Sequence, residues 1–132
     1  MCLFTRILPK IAYGYLRFFL CRDEPIFFNT KDAVAEGAVS NVFCVKNGCI
    51  RTPSVSCGLL NGAVRHYLLS TFPEIEETVL TKEDLLTADE IFLTNSLMGV
   101  MPVSILEDRS LPQREKGDFL RKHYFDYCRT KL

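Results

Sequence analysis

A chain of 132 residues is long enough for one domain with a proper core and short for a two-domain enzyme. Sixteen Lys and Arg balance sixteen Asp and Glu, so no net field recruits nucleic acid or an acidic membrane surface. The 48% hydrophobic content includes no apolar run of membrane-spanning length, which points to a soluble fold rich in Phe, Leu and Val rather than a membrane protein.

In chain order, Pro9 suits the first turn of a helix, and Ile11, Tyr15, Phe18 and Phe19 recur at near-helical spacing up to Leu20. Ile26-Phe27-Phe28 reads as a short buried strand, Asn29 to Asp32 as a turn, and Ala33 to Ala35 as a second strand delivering Glu36 into a Gly-containing turn. Val42 to Lys46 and Cys49 to Thr52 flank Asn47-Gly48, the preferred type I′ dipeptide, and form a hairpin. A helix runs from Gly62 to about Thr71, with Val64, Leu68 and Leu69 on one face and Phe72-Pro73 closing it. Ile75 to Leu80 alternates as a half-exposed strand does, and Thr81 to Asp84 is a capping-box variant opening a short helix through Leu86. Strands follow at Ile91 to Thr94 and Gly99 to Leu106, around the Asn95-Ser96 turn. From Gln113, Phe119, Leu120, Tyr124 and Tyr127 mark an amphipathic C-terminal helix.

The six cysteines (Cys2, Cys21, Cys44, Cys49, Cys57 and Cys128) include no Cys-x-x-Cys pair, and neither histidine lies at metal-ligand spacing from them, so no metal site is expected. Cys44 and Cys49 could face each other across the hairpin. The stretch Met1 to Leu20 is apolar and basic, but Pro9 and the Tyr, Gly and Arg residues after it interrupt any leader core. The expectation is therefore a cytoplasmic protein with reduced, buried thiols. His66 and His123 read as helix-surface or interfacial residues, and Ser54, Ser56 and Cys57 lack a nearby base for nucleophilic catalysis.

Three stretches carry a more specific signal: Glu36-Gly37-Ala38-Val39-Ser40-Asn41-Val42-Phe43, Cys57-Gly58-Leu59-Leu60-Asn61-Gly62-Ala63-Val64-Arg65, and Ile91 to Val103 with its Thr94-Asn95-Ser96-Leu97-Met98-Gly99 turn. In this order they resemble the class IV aminotransferase family, pyridoxal-phosphate enzymes that include branched-chain and D-amino acid transaminases and aminodeoxychorismate lyase. The resemblance implies an α/β fold, the large-domain pseudo-barrel of the D-amino acid aminotransferase-like enzymes, with mixed strands and surrounding helices. It assigns residues 1–132 to the family's C-terminal large domain, with the N-terminal small domain absent.

The resemblance also implies a cofactor site for pyridoxal 5′-phosphate. Glu36 matches the glutamate that keeps the pyridinium protonated, Leu60 the leucine packed on the ring, and Gly62, Ala63 and Val64 the phosphate turn at a helix N-terminus. Asn95 and Ser96 match a second phosphate turn, and Arg65 the arginine after the first. Val64 stands where the family has threonine, which removes one hydroxyl. The Schiff-base lysine falls at or beside Leu3, and no lysine precedes Lys10. Cofactor binding is accordingly expected to be weak or lost, and catalysis by the chain alone uncertain.

The β-turn at Thr94 to Val100 is closer to the lyase versions of the family than to the Gly-Thr-Ala-Ala type. The leading functional expectation is thus an aminodeoxychorismate lyase-like protein, releasing pyruvate and 4-aminobenzoate in folate synthesis, truncated and inactive alone. Alternatives are a branched-chain or D-amino acid transaminase and a non-catalytic dimerising remnant. The implied partners are an amino acid or an aminodeoxychorismate-like small molecule and a second copy of the chain, with no nucleic acid and no membrane.

Overall fold

Asn47 and Gly48 both lie in the left-handed region, with φ of 50° and 78°, the geometry a type I′ turn requires and these residue types tolerate. That turn sets the register of the central hairpin. The structure, a computed structural model, describes residues 2–6 and 23–131. The helix expected from Pro9 to Leu20 lies outside the described residues.

Strands β1 (Cys2–Arg6), β2 (Asp23–Phe28) and β3 (Val34–Gly37) are followed by β4 (Asn41–Lys46) and β5 (Cys49–Pro53), the two arms of the hairpin. A 3₁₀ turn at Val55–Cys57 leads to helix α1 (Ala63–Thr71), then β6 (Glu76–Thr78), α2 (Lys82–Leu86), β7 (Glu90–Asn95), β8 (Gly99–Pro102), β9 (Ile105–Leu106), β10 (Arg109–Ser110) and α3 (Glu115–Thr130). Among the described residues the strands form two five-stranded sheets, ordered β10-β9-β1-β2-β3 and β6-β5-β4-β7-β8. Within these residues neither closes on itself: the first is antiparallel throughout and the second is mixed, with β5 and β6 parallel, so the expected α/β arrangement of strands and surrounding helices is present without a closed barrel.

The two faces of β4 and β7 divide the core. Val42, Cys44, Ile91, Leu93 and Met101 pack with Ile26 and Val34 of the other sheet. On the opposite face Phe43, Val45, Phe92 and Val100 meet Val64 and Leu68 of α1 and Leu120 of α3. This period-2 alternation in strands apolar on both sides is what a sheet covered on both faces demands. Phe43 and Phe92, cross-strand partners, stack with ring centroids 4.9 Å apart.

Two local expectations fail for reasons of pairing. Gly99 to Leu106 is not one strand: β8 pairs with β7, whereas β9 crosses to pair with β1. Pro102 has no N–H to continue the ladder, and Val103 and Leu106 then turn into the inter-sheet core. Cys44 and Cys49 do not face each other, because the register pairs Cys44 with Arg51 and Cys49 with Lys46. Cys44 is buried and Cys49 is exposed, so the expectation of buried thiols holds for only one of them. Burial pushes the Cys44 thiol up to about 11, which keeps it neutral and a core residue rather than a nucleophile.

The helix ends are fixed as their sequences suggest. Thr81 Oγ1 accepts the Asp84 N–H at 3.2 Å, and the Asp84 carboxylate accepts the Thr81 N–H at 2.8 Å. Helix α3 has no side-chain cap of its own. Instead buried Glu90, at the start of β7, accepts the N–H groups of Lys116 and Gly117 at 3.1 and 3.0 Å, anchoring the helix to the sheet. Leu120 is buried, while Phe119 and Tyr127 remain exposed beside Tyr67, Phe72 and His123. No described helix is long and apolar enough to cross a membrane.

Candidate functional site

Glu36 sits inside β3, paired with Phe27, rather than in the turn that follows. That turn is tied down from behind. Gly37 N–H donates to the Ser40 carbonyl at 2.8 Å, and Ala38 N–H to that of Pro25 at 3.1 Å. Glu24 Oε1 accepts the Val39 N–H at 2.9 Å and the Ser40 hydroxyl at 3.2 Å. A Cβ at position 37 would run into Ser40 Oγ and lie 2.8 Å from Glu24 Oε1, so a side chain there would push both groups aside.

The turn delivers Asn41 to the start of β4, facing the segment that enters α1. Its side-chain amide donates to the Leu60 carbonyl at 2.7 Å, and its Oδ1 accepts the Gly62 N–H at 3.2 Å. Leu60 N–H in turn donates to Glu36 Oε1 at 3.1 Å. Two strands thus hold one short turn, Leu60 to Gly62, by three hydrogen bonds. Leu60 itself is 80% exposed, an unusual position for a leucine whose backbone is so firmly held.

Helix α1 begins at this turn with Gly62 as N-cap, no side-chain cap bond and no acidic residue in its first turn. Its leading N–H groups, at Ala63 and Val64, are therefore the uncompensated positive end of a helix, suited to an anion. Val64 turns its side chain into the helix-facing core, where it is 1% exposed, so the missing threonine hydroxyl is replaced by packing and not by another donor.

Asn95 and Ser96 occupy the turn between β7 and β8. The Asn95 amide donates to the Val39 carbonyl at 3.1 Å while its Oδ1 accepts the Met98 N–H at 2.8 Å, linking this turn to the one after Glu36. Ser96 is exposed. The structure thus brings Glu36, Leu60, Gly62, Ala63 and Val64 into one connected segment, with Asn95 and Ser96 joined to it through Val39.

Arg65 reaches back to Asn61 in this turn and outward to β5 and β6. Its side chain is 2% exposed and pairs with Glu77 at 2.7 Å, while its guanidinium also donates to the Pro53 carbonyl at 3.0 Å and to Asn61 Oδ1 at 2.8 Å. It fastens α1 to β5 and β6. His66 is exposed, and His123 shares a 3.0 Å hydrogen bond with the Tyr67 hydroxyl, as expected of surface and interfacial residues. No group of three metal-ligating side chains occurs among the described residues.

Sequence reasoning passed over two contributors. Asn41 lies inside the Glu36 to Phe43 motif but received no role, although an asparagine opening an otherwise apolar strand was a usable signal. Thr94, opposite Asn41 in the β4–β7 ladder, is 1% exposed, and its hydroxyl has no hydrogen-bond partner. An unmatched buried hydroxyl costs roughly 1–3 kcal/mol, so Thr94→Val, nearly the same shape, should stabilise the chain by about 1 kcal/mol. A higher urea midpoint with unchanged slope is the expected reading, and an unchanged or lower midpoint contradicts it.

With the geometry in place, comparisons identify the group. A family model described as amino-transferase class IV matches residues 21–106. The chain is 35% identical over 139 aligned residues to the "Probable branched-chain-amino-acid aminotransferase" of Aquifex aeolicus, covering 93% of this chain and 45% of that one. It is 41% identical over 91 residues to the aminodeoxychorismate lyase of Bacillus subtilis, covering 66% of this chain and 31% of the lyase. Among solved structures, an aminotransferase from Brucella abortus bound to the cofactor PLP superposes with a TM-score of 0.70 at 33% identity, over 74% of this chain and 36% of that one. The chain belongs to the class IV aminotransferase family and has its α/β fold. It spans less than half the length of these relatives.

Proposed function

We propose that this chain is the cofactor-holding large domain of a branched-chain-type aminotransferase, retaining the non-covalent half of a pyridoxal-phosphate site. The observation that carries the reading is the Leu60–Gly62 turn, held by Glu36 on one side and Asn41 on the other. Within it Glu36 would hold the pyridine nitrogen, Leu60 would cover the ring, and the Ala63 and Val64 N–H groups would take the phosphate with help from the Asn95-Ser96 turn. When bound, the cofactor supplies an electron sink for carbanion chemistry at an amino acid's α-carbon. The donor set fits this group at its two ends: a carboxylate at one, free helix N-terminal amides at the other, and an exposed leucine between. It does not fit the covalent attachment. Strand β1, Cys2–Arg6, contains no lysine, and Leu3 is paired with Ile26.

The branched-chain reading replaces the lyase as the leading one, because relatives matching over most of this chain are named branched-chain aminotransferases, at 93% and 95% coverage. The lyase remains the second reading on the strength of the 41% identity to the Bacillus subtilis enzyme and the Ser96-Leu97-Met98 turn.

Pyridoxamine phosphate, which needs no lysine, tests the site directly. Without a covalent bond the dissociation constant should be on the order of 0.1–1 mM. Titration of the ¹⁵N-labelled chain should shift the amides of Ala63, Val64 and Ser96 saturably. If those amides stay still while others move, the site assignment is wrong and the kinship extends to fold alone.

A further inference from the structure

We propose that Asn41 is the positioning residue for the anion end of this site: its uncharged carboxamide holds the Leu60–Gly62 turn so that the first N–H groups of α1 converge on a phosphate. The inference rests on the reading just given and assigns a role to a residue which that reading does not need to touch the cofactor.

Three observations support it. Asn41 is 5% exposed, and both of its polar side-chain atoms are committed to the turn, one donating at 2.7 Å and one accepting at 3.2 Å. A Cβ on Gly62 would lie 2.7 Å from Asn41 Oδ1, so any side chain at position 62 would displace the Asn41 carboxamide from the turn. Finally, α1 carries no side-chain cap and no acid in its first turn, so nothing of its own neutralises the helix end.

The chemistry selects asparagine. Satisfying a carbonyl and an N–H at once takes a group that donates and accepts, which a carboxamide does without charge. An aspartate of the same shape could still accept from Gly62 N–H, but it would oppose the Leu60 carbonyl and bring a negative charge to the place where an anion must bind. The neutral amide fixes the turn while leaving the helix field to the ligand. Because the neighbouring Leu60 N–H is held by Glu36, the same residue also fixes the spacing between the anion end and the carboxylate end.

The test uses the full chain, ¹⁵N-labelled, titrated with pyridoxamine phosphate and separately with inorganic phosphate, as wild type, Asn41→Ala and Asn41→Asp. Amide dispersion and the thermal midpoint are recorded for each. Asn41→Asp keeps an acceptor for the Gly62 N–H but sets a carboxylate against the Leu60 carbonyl, so it should melt below wild type, and it should show no saturable shift with either ligand even where it is fully folded. Asn41→Ala should bind about tenfold more weakly than wild type, the loss expected for a misplaced donor pair. Should Asn41→Ala fail to fold, Asn41→Ser, neutral but too short to span both partners, is expected to show the same tenfold loss. Wild-type shifts with alanine or serine variants binding within twofold of it overturn the role of Asn41 alone. A wild type that shifts with neither ligand overturns this inference together with the site from which it starts.

Discussion

Phe92→Ala is expected to destabilise the chain by about 4 kcal/mol, within the usual 3–5 for truncating a fully buried aromatic residue. Phe92 is 0% exposed, stacks on Phe43 from the adjacent strand, and lies where the sheet, α1 and α3 meet. Truncation removes the stacking partner and leaves a void that β4 and β7 cannot close, because both strands are also packed against the other sheet through Val42, Cys44, Ile91 and Leu93. A domain of this size has roughly 5–15 kcal/mol in total, so the variant should lose a large part of its urea midpoint. Phe92→Leu should lose less than half as much. Equal losses for the two would mean that the aromatic contact, and not the filled volume, carries the stabilisation.

The elements legible in the sequence are those whose signal is local. Asn47-Gly48 dictates its turn through backbone conformation alone, and Thr81 with Asp84 forms its capping box within four residues. The same holds for the start of α1, where Gly62 and the apolar spacing of Val64 and Leu68 define both the cap and the buried face. What could not be read was partnership at a distance. Nothing near Pro102 says that the next strand pairs with residues a hundred positions earlier, which is what separates β8 from β9. Likewise the periodicity of β3 and β4 suits a closed barrel as well as two open sheets, since both bury the same alternating residues.

The site shows the same division. Glu36, Leu60 and the Gly62 to Val64 turn are singled out because three motifs in order resemble those of a family, a signal carried by short contiguous stretches of sequence. The bonds that organise them leave no such signal. Asn41 reaches 19 positions ahead to Leu60, Asn95 reaches back 56 to Val39, and Glu36 reaches 24 ahead to Leu60. Each is a side chain bonding to backbone, and an asparagine at a strand end gives no indication of which distant carbonyl it will meet.

Arg65 is the clearest instance, and its removal gives the second large expected effect. Read alone, an arginine beside a helix start is a solvated charge or a ligand contact; here it is buried and joins Pro53 in β5, Glu77 in β6 and Asn61 in the turn ahead of α1. Arg65→Ala should cost about 3 kcal/mol. The loss does not come chiefly from Glu77, whose side chain is 46% exposed and returns to water at little cost. It comes from leaving the Pro53 carbonyl without its donor in a buried position and from the space vacated beneath α1. Arg65→Lys should recover less than half of this, because a single ammonium cannot reproduce a fork that serves Pro53, Asn61 and Glu77 together. Since α1 is anchored here at the turn that also carries the Ala63 and Val64 amides, the alanine variant should bind pyridoxamine phosphate more weakly as well, even at temperatures where it is fully folded. A lysine variant with wild-type stability and wild-type shifts would show that one positive charge suffices, and that the fork is incidental to how the helix start is held.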